Sequence, residues 1–311
     1  MPSCPIQPDA RLNSYWTLEN AVVVFLMALA FFSLFAFARA GDNQLKLVIL
    51  EVPDGVCAFL QTPGGAHYLL EGTAGGRPEE GDNRLADRIV LPFLYFERAL
   101  RLEGLLLARP LGEHQGAAGQ LIRELKIAEV WAPPGEPGKE SSLAALVAAQ
   151  RKTPVTDIER GVVLRLAPLV DLEVLSPARP RFAGTGDDPA NNSAAYRLVY
   201  GSFRILFVCD LEAEGLQELA DSGQDLRCDI LVAPRKGRDE AACASLLSAA
   251  RPGLLIASSA RTKASEQEDG LGALADRFDC KLVRTEVAGA IKLATDGAVW
   301  QVTTQAESKA Q

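Results

Sequence analysis

The longest apolar run in the chain, Ala21 to Ala38 (AVVVFLMALAFFSLFAFA), holds eighteen residues without a charge. As a helix it reaches roughly 27 Å at 1.5 Å per residue, close to the roughly 30 Å hydrocarbon core of a bilayer. Three readings stay open. The run is a transmembrane anchor, a secretory signal cut after Ala38-Arg39-Ala40, or a core helix that would need a protein envelope on every face. After it the pattern changes period. Leu45–Val52, Cys57–Thr62 and Ala66–Glu71 are short apolar runs separated by Pro-Asp-Gly and Pro-Gly-Gly, which predict an antiparallel strand-turn-strand-turn-strand opening.

A polar Gly-rich loop, 72–83, leads to a predicted helix over Ala86–Arg101 and a buried strand at Gly104–Ala108. Helices are then expected at Gln115–Lys126 and Ser141–Lys152, with strands at Glu129–Ala132, Val162–Leu166 and Leu172–Leu175. A second half repeats the plan. Strands Tyr196–Tyr200, Phe203–Val208, Asp229–Val232 and Leu254–Ala257 alternate with helices Glu212–Asp221, Glu240–Ala249 and Gln267–Phe278, and strands Leu282–Arg284 and Ile291–Leu293 complete that half. Two such halves predict an α/β protein, an αββα sandwich behind one N-terminal transmembrane helix. The expected organisation is a tail over 1–20, the anchor or signal segment over 21–40 and one domain over 41–311.

Charge narrows the function. The chain has 32 basic and 40 acidic side chains, and those of the first forty residues cancel, so the net charge of −8 belongs to the domain. Such a surface has no general affinity for nucleic acid, and phosphate contact would need a local basic patch. Arg11 precedes the apolar run and Arg39 and Lys46 follow it, so basic residues do not fix the orientation. The six cysteines show no Cys-x-x-Cys spacing and are expected as packed free thiols. There is no Gly-x-Ser-x-Gly elbow. Pro134-Gly135-Glu136-Pro137-Gly138-Lys139 lacks the spacing of a phosphate-cradling loop and is read as a surface turn. His67 is expected to face solvent or a hydrogen-bonding neighbour, and Asp187 and Asp188 to be solvated loop residues without calcium-ligand spacing.

Several segments taken in order resemble the metallo-β-lactamase-type domain of the ComEC-type competence family. They are Leu50-Glu51-Val52-Pro53-Asp54-Gly55-Val56, the turn Thr62-Pro63-Gly64-Gly65, Leu70-Glu71-Gly72-Thr73, Pro92-Phe93-Leu94, Asn191-Asn192-Ser193, Tyr200-Gly201, Cys209-Asp210-Leu211-Glu212 and Gly289-Ala290-Ile291. The resemblance implies two metal-binding loops at the strand ends, and here both are altered. Where the family usually reads Thr-His-Pro-Asp-Ala-Asp-His, this chain has Ala108-Arg109-Pro110-Leu111-Gly112-Glu113-His114. Where it reads Pro-His-His-Gly-Ser, this chain has Pro234-Arg235-Lys236-Gly237-Arg238. Glu113, His114 and Asp210 are the residual metal-site positions, and His67 and His114 are the two histidines of the chain. Protonated cations do not ligate zinc, so a paired-zinc hydrolase is not expected, nor any cofactor.

Arg109, Arg235, Lys236 and Arg238 would converge on Glu51, Glu113 and Asp210. They form either an internal salt-bridge network or an anion site for DNA or another phosphate-bearing ligand. The function expected from the resemblance is a membrane-tethered, non-catalytic binding or scaffold domain related to DNA uptake, outside the cytoplasm, with a separate channel protein as partner. The alternative is an extracytoplasmic phosphoesterase or nuclease with an atypical metal site.

Overall fold

The computed structural model describes residues 18–39, 44–53, 55–72, 85–109, 117–135, 143–233, 239–258 and 270–308. The chain divides into two units, 1–43 and 44–311. In the first, α1 spans Leu18–Arg39, so the apolar run is helical as predicted. Its side chains are described from Asn20 to Phe31. Among the described residues no helix is long and apolar enough to cross a membrane.

The second unit opens with β1 (Leu45–Ile49), β2 (Val56–Gln61) and β3 (His67–Gly72), antiparallel as the turns predict. A π-helical turn, Ala86–Val90, runs into α2 (Leu91–Phe96). The predicted helix stops short of Arg101 because Arg98 takes a left-handed φ of 57°, which turns the chain into β4 (Arg101–Leu102) and β5 (Gly104–Leu107). There follow α3 (Ala118–Glu124), β6 (Lys126–Ile127), β7 (Val130–Ala132), α4 (Leu143–Arg151) and β8 (Val155–Asp157). The second half holds β9 (Val163–Ala167), β10 (Val170–Ser176), the short α5 (Asp188–Asn191), β11 (Ala195–Tyr200) and β12 (Phe203–Phe207). Then come α6 (Ala213–Asp221), β13 (Ile230–Val232), α7 (Glu240–Ala250), β14 (Leu254–Ala257), α8 (Leu271–Arg277) and β15 (Lys281–Arg284). The short α9 (Thr285–Ala288), β16 (Ile291–Thr295), β17 (Trp300–Thr304) and α10 (Gln305–Ser308) close the described chain.

Two mixed sheets result, in the orders β17-β16-β1-β2-β3-β5-β7-β8 and β15-β14-β13-β12-β11-β10-β9. One expectation is corrected. Ile291–Leu293 does not complete the second half, because β16 returns to pair with β1, Leu293 opposite Leu47. That pairing bridges almost the whole domain and has no local signature.

Alternation within single strands explains the layers. Leu45, Leu47 and Ile49 face the core between the sheets, while Val48 and Leu50 join Leu91, Leu94, Leu121 and Ile122 on the outer face. In β12, Phe203, Ile205 and Phe207 face inward, and Leu206 and Val208 pack outward with Leu216, Leu219, Leu246 and Leu247. Each fully buried Leu, Ile or Phe contributes about 1.5–3 kcal/mol relative to exposure, so strands buried on both faces hold helices on both outer faces. This is the αββα sandwich expected.

Candidate functional site

β3, β5 and β12 finish at one end of the sandwich, and the backbone there is tightly clamped. The Ala108 N–H donates to the Glu71 carbonyl at 2.9 Å, and the Ala108 carbonyl accepts from Ala194 N–H at 2.6 Å. The Tyr196 hydroxyl, wholly buried, crosses between the sheets to donate to the Leu107 carbonyl at 2.7 Å. Gly72 has no room for a side chain, since a Cβ there would lie 2.9 Å from that of Ala108. These contacts hold the chain at the end of β5.

Shortly beyond the ends of β5 and β12 lie Arg109 and Asp210, which the structure brings together. The Arg109 Nε and Nη2 groups both donate to the Asp210 carboxylate. The Asp210 side chain is 1% exposed and that of Arg109 is 11% exposed. Arg109 also lies 3.7 Å from Asp187, which is at the open edge of the site. A guanidinium thus supplies the positive charge at the carboxylate where the family's metal is expected.

Neighbouring polar groups support the pair. Asp187 and Asp188 are not merely solvated loop residues. Asp187 caps α5, accepting from Ala190 N–H at 3.0 Å, and Asp188 accepts from the backbone N–H groups of Gly184 and Thr185. Asn191, buried, donates to Glu214 at 2.9 Å and accepts from Gly215 N–H at 2.9 Å, fastening α5 to α6. Glu71 is a second buried carboxylate beneath the site. Burial pushes the Cys209 thiol well above its ordinary range, and Asp210 and Glu71 push it further, so it is an inert packed thiol. Cys57, Cys228, Cys243 and Cys280 are likewise free and buried, as expected.

The other predicted positions fall differently. Glu51 follows β1 and is half-buried, and among the described residues no ion pair joins it to Arg109. Glu113, His114, Arg235, Lys236 and Arg238 lie outside the described residues, as does Cys4. His67 sits at the opposite end of the sandwich, where its ring packs 5.3 Å from that of Phe59. Burial lowers its pKa, against a hydrogen bond to the Arg101 backbone and the charges of Glu97 and Glu103. Among the described residues no group of three His, Cys, Asp or Glu is placed to hold a metal. The described residues do not fit a paired-metal centre, because Arg109 already engages the carboxylate that would bridge it. Sequence reading missed the structural parts played by Glu71, Tyr196 and Asn191, although Leu-Glu-Gly-Thr and Asn-Asn-Ser lay within the segments that carried the resemblance.

The architecture is an αββα sandwich with the site at the strand ends, which is consistent with the metallo-β-lactamase fold that the resemblance implies. The chain is similar to ComE operon protein 3 of Bacillus subtilis (strain 168), with 24% identity over 266 residues that cover 81% of this chain. The competence-family resemblance is thus borne out, and the chain spans 33% of that relative's length. No family model matches the chain. Among solved structures, a putative metal-dependent hydrolase from Parabacteroides distasonis is similar at a TM-score of 0.46 and 13% identity, covering 78% of this chain and 94% of that one. A diphosphatase from the PhnP family gives 0.42 and 9%, covering 81% and 97%. A putative zinc-dependent hydrolase of the metallo-β-lactamase superfamily from Thermotoga maritima gives 0.36 and 9%, covering 76% and 97%.

Proposed function

We propose that this protein is a membrane-tethered, non-catalytic relative of the DNA-uptake domain, serving as a binding or scaffold module outside the cytoplasm. The observation that carries the reading is the Arg109 guanidinium on the buried Asp210 carboxylate. Hydrolysis in this fold needs a metal to lower the pKa of bound water toward 7 and to stabilise charge on the attacked phosphate. Arginines can stabilise that charge but cannot generate the nucleophile, and His114 as a lone general base would supply only about 10²–10⁴-fold. The proposed tether is the uncharged apolar run Ala21 to Ala38, whose sequence length matches the hydrocarbon core of a bilayer. Translocation would fall to a separate channel protein.

Arg109 acts here as a structural cation, which leaves Arg235, Lys236 and Arg238 as the cations for a phosphate-bearing ligand. The test is turnover of a generic phosphodiester by the whole chain across added Zn²⁺, Mn²⁺ and Mg²⁺. Background rates are expected throughout. Turnover that disappears in both His114→Ala and Asp210→Ala would establish the atypical hydrolase instead. Retention of the protein in membranes after alkaline carbonate washing checks the tether, and a mature amino terminus at Gly41 would replace it with a cleaved signal.

A further inference from the structure

Three helices end where three parallel strands begin. α2, α3 and α4 each lead through a short connection to β5, β7 and β8, which lie parallel and side by side, so the three helix C-termini gather at one corner of the domain. The Arg109–Asp210 site follows the opposite ends of the strands. Within the corner β4 and β6 pair in parallel, Arg101 opposite Lys126 and Leu102 opposite Ile127. Leu102 and Ile127 are buried, so by alternation Arg101 and Lys126 share the outward face. The Lys126 N–H donates to the Leu100 carbonyl at 3.2 Å, and the Arg151 Nη2 group donates to the Leu125 carbonyl at 3.4 Å, which brings the end of α4 to the same place.

That geometry collects basic side chains. Arg98 follows α2, Arg123 is in the last turn of α3, and Arg151 and Lys152 end α4; with Arg101 and Lys126 they make six exposed cations. The acidic side chains of the corner are Glu97, Glu103, Glu124 and Glu129, so it is locally positive in a chain of net charge −8. Glu103 engages Arg101 at 2.7 Å, and Glu129 accepts from the Thr156 hydroxyl. Among the described residues no ion pair reaches Arg98, Arg123, Lys126, Arg151 or Lys152. Elsewhere in the domain Arg160 pairs with Glu218, Arg165 with Asp171, Arg179 with Glu159 and Arg197 with Glu173. The helix dipole favours one cation at each C-terminus, but a surplus repels itself and attracts an anionic ligand.

Two aromatic rings stand in the same corner. Tyr95 is 50% and Phe96 79% exposed, and the Tyr95 carbonyl accepts from the Arg98 N–H at 3.1 Å, where the chain turns toward Arg101. Neither ring has an aromatic partner among the described residues, whereas Phe93 of the same helix packs 5.4 Å from Phe59. We propose that this corner binds a single strand of nucleic acid, its cations taking the phosphates and Tyr95 and Phe96 stacking on bases. The site is separate from the Arg109 end and does not depend on the reading given to that end. A single strand offers both a charge at each phosphate and an open face on each base, which suits a surface that pairs cations with exposed rings. In a duplex the bases are stacked on one another, so the rings gain nothing. Screening confines the attraction to about 10 Å, so a strand meets the cations, whereas a flat anionic bilayer would also face acidic side chains of neighbouring turns, Asp296 among them.

The test is fluorescence anisotropy of a labelled oligothymidylate of about sixteen nucleotides, titrated with the whole chain in neutral detergent at about 50 mM salt and above. The parent chain should bind it more tightly than a duplex of the same length. The joint change Arg123→Glu, Lys126→Glu and Lys152→Glu should weaken binding at least tenfold and lower the slope of log affinity against log salt by about 2. Phe96→Ala, at a side chain that holds up no core, should weaken it about tenfold with the slope unchanged. Parent affinity in the triple reversal overturns the proposal, as does equal affinity for duplex with no effect of Phe96→Ala. Binding that disappears in the joint change Arg235→Ala, Lys236→Ala and Arg238→Ala but persists in the triple reversal assigns the strand to the other end and also overturns it. No binding of the oligonucleotide, with the added emission of Phe96→Trp shifted to the blue by phosphatidylserine micelles, gives the corner to an anionic lipid surface instead.

Discussion

At the end of the sandwich where β5 and β12 finish, a buried carboxylate is met by a guanidinium and by a shell of capped and hydrogen-bonded loops. At the end where β1, β3 and β5 begin, the turns close on each other through backbone hydrogen bonds and leave apolar side chains in solvent. The same strands run between both ends. The contrast is between a buried carboxylate balanced by a guanidinium and turns held by backbone hydrogen bonds. Stability at the polar end then depends on charge pairing, and at the apolar end on backbone fit.

The largest effect is expected from breaking the pair. Arg109→Ala removes the guanidinium from the buried Asp210 carboxylate, and should cost about 3–5 kcal/mol in denaturant unfolding of the whole chain, read by tryptophan fluorescence. Arg109→Met combined with Asp210→Leu should recover most of that loss, because both charges are then absent. A double variant no better than Arg109→Ala alone would show that the pair is not the stabilising unit. The apolar end is probed by Gly201→Ala. Gly201 has φ +59°, and its added Cβ would lie 2.5 Å from the Gly297 carbonyl oxygen, so one turn must shift at a cost of about 2–3 kcal/mol. Full stability in this variant would mean that the turns do not knit the sheets.

Asn191→Ala returns to the polar end with a smaller loss. It strips partners from Glu214 and from the Gly215 N–H, and a cost of about 1–2 kcal/mol is expected in the same unfolding assay. The smallest effect is that of pH at His67. Its folded pKa is below the ordinary value, so the unfolded state binds the proton more readily. Its contribution is complete above the unfolded value near 6.5 and is lost as pH falls through the lower folded value. His67→Gln should flatten that part of the stability–pH curve, and an unchanged slope would assign it to other groups.

Much of this contrast was legible in the sequence. The alternation in Leu45–Ile49 and Phe203–Phe207 marks strands buried on both faces, and the resemblance puts Arg109 and Asp210 at one site. The return of β16 to β1 was not legible, because the register is set by packing between distant segments. Nor was β17, whose side chains alternate between half-buried and exposed. The parts played by Glu71, Tyr196 and Asn191 depend on burial, which a polar residue does not announce locally. The exposure of Tyr95, Phe96 and Leu100 was invisible for the converse reason. They read as one face of a longer helix until Arg98 turns the chain.

The central claim, that the Arg109 guanidinium stands where a metal would, is tested most directly by elemental analysis of the whole chain purified without chelator. Well below one zinc, manganese or other transition metal per chain is predicted, with no change in Arg109→Ala or Asp210→Ala. A content near one metal per chain that is lost in Asp210→Ala would contradict it.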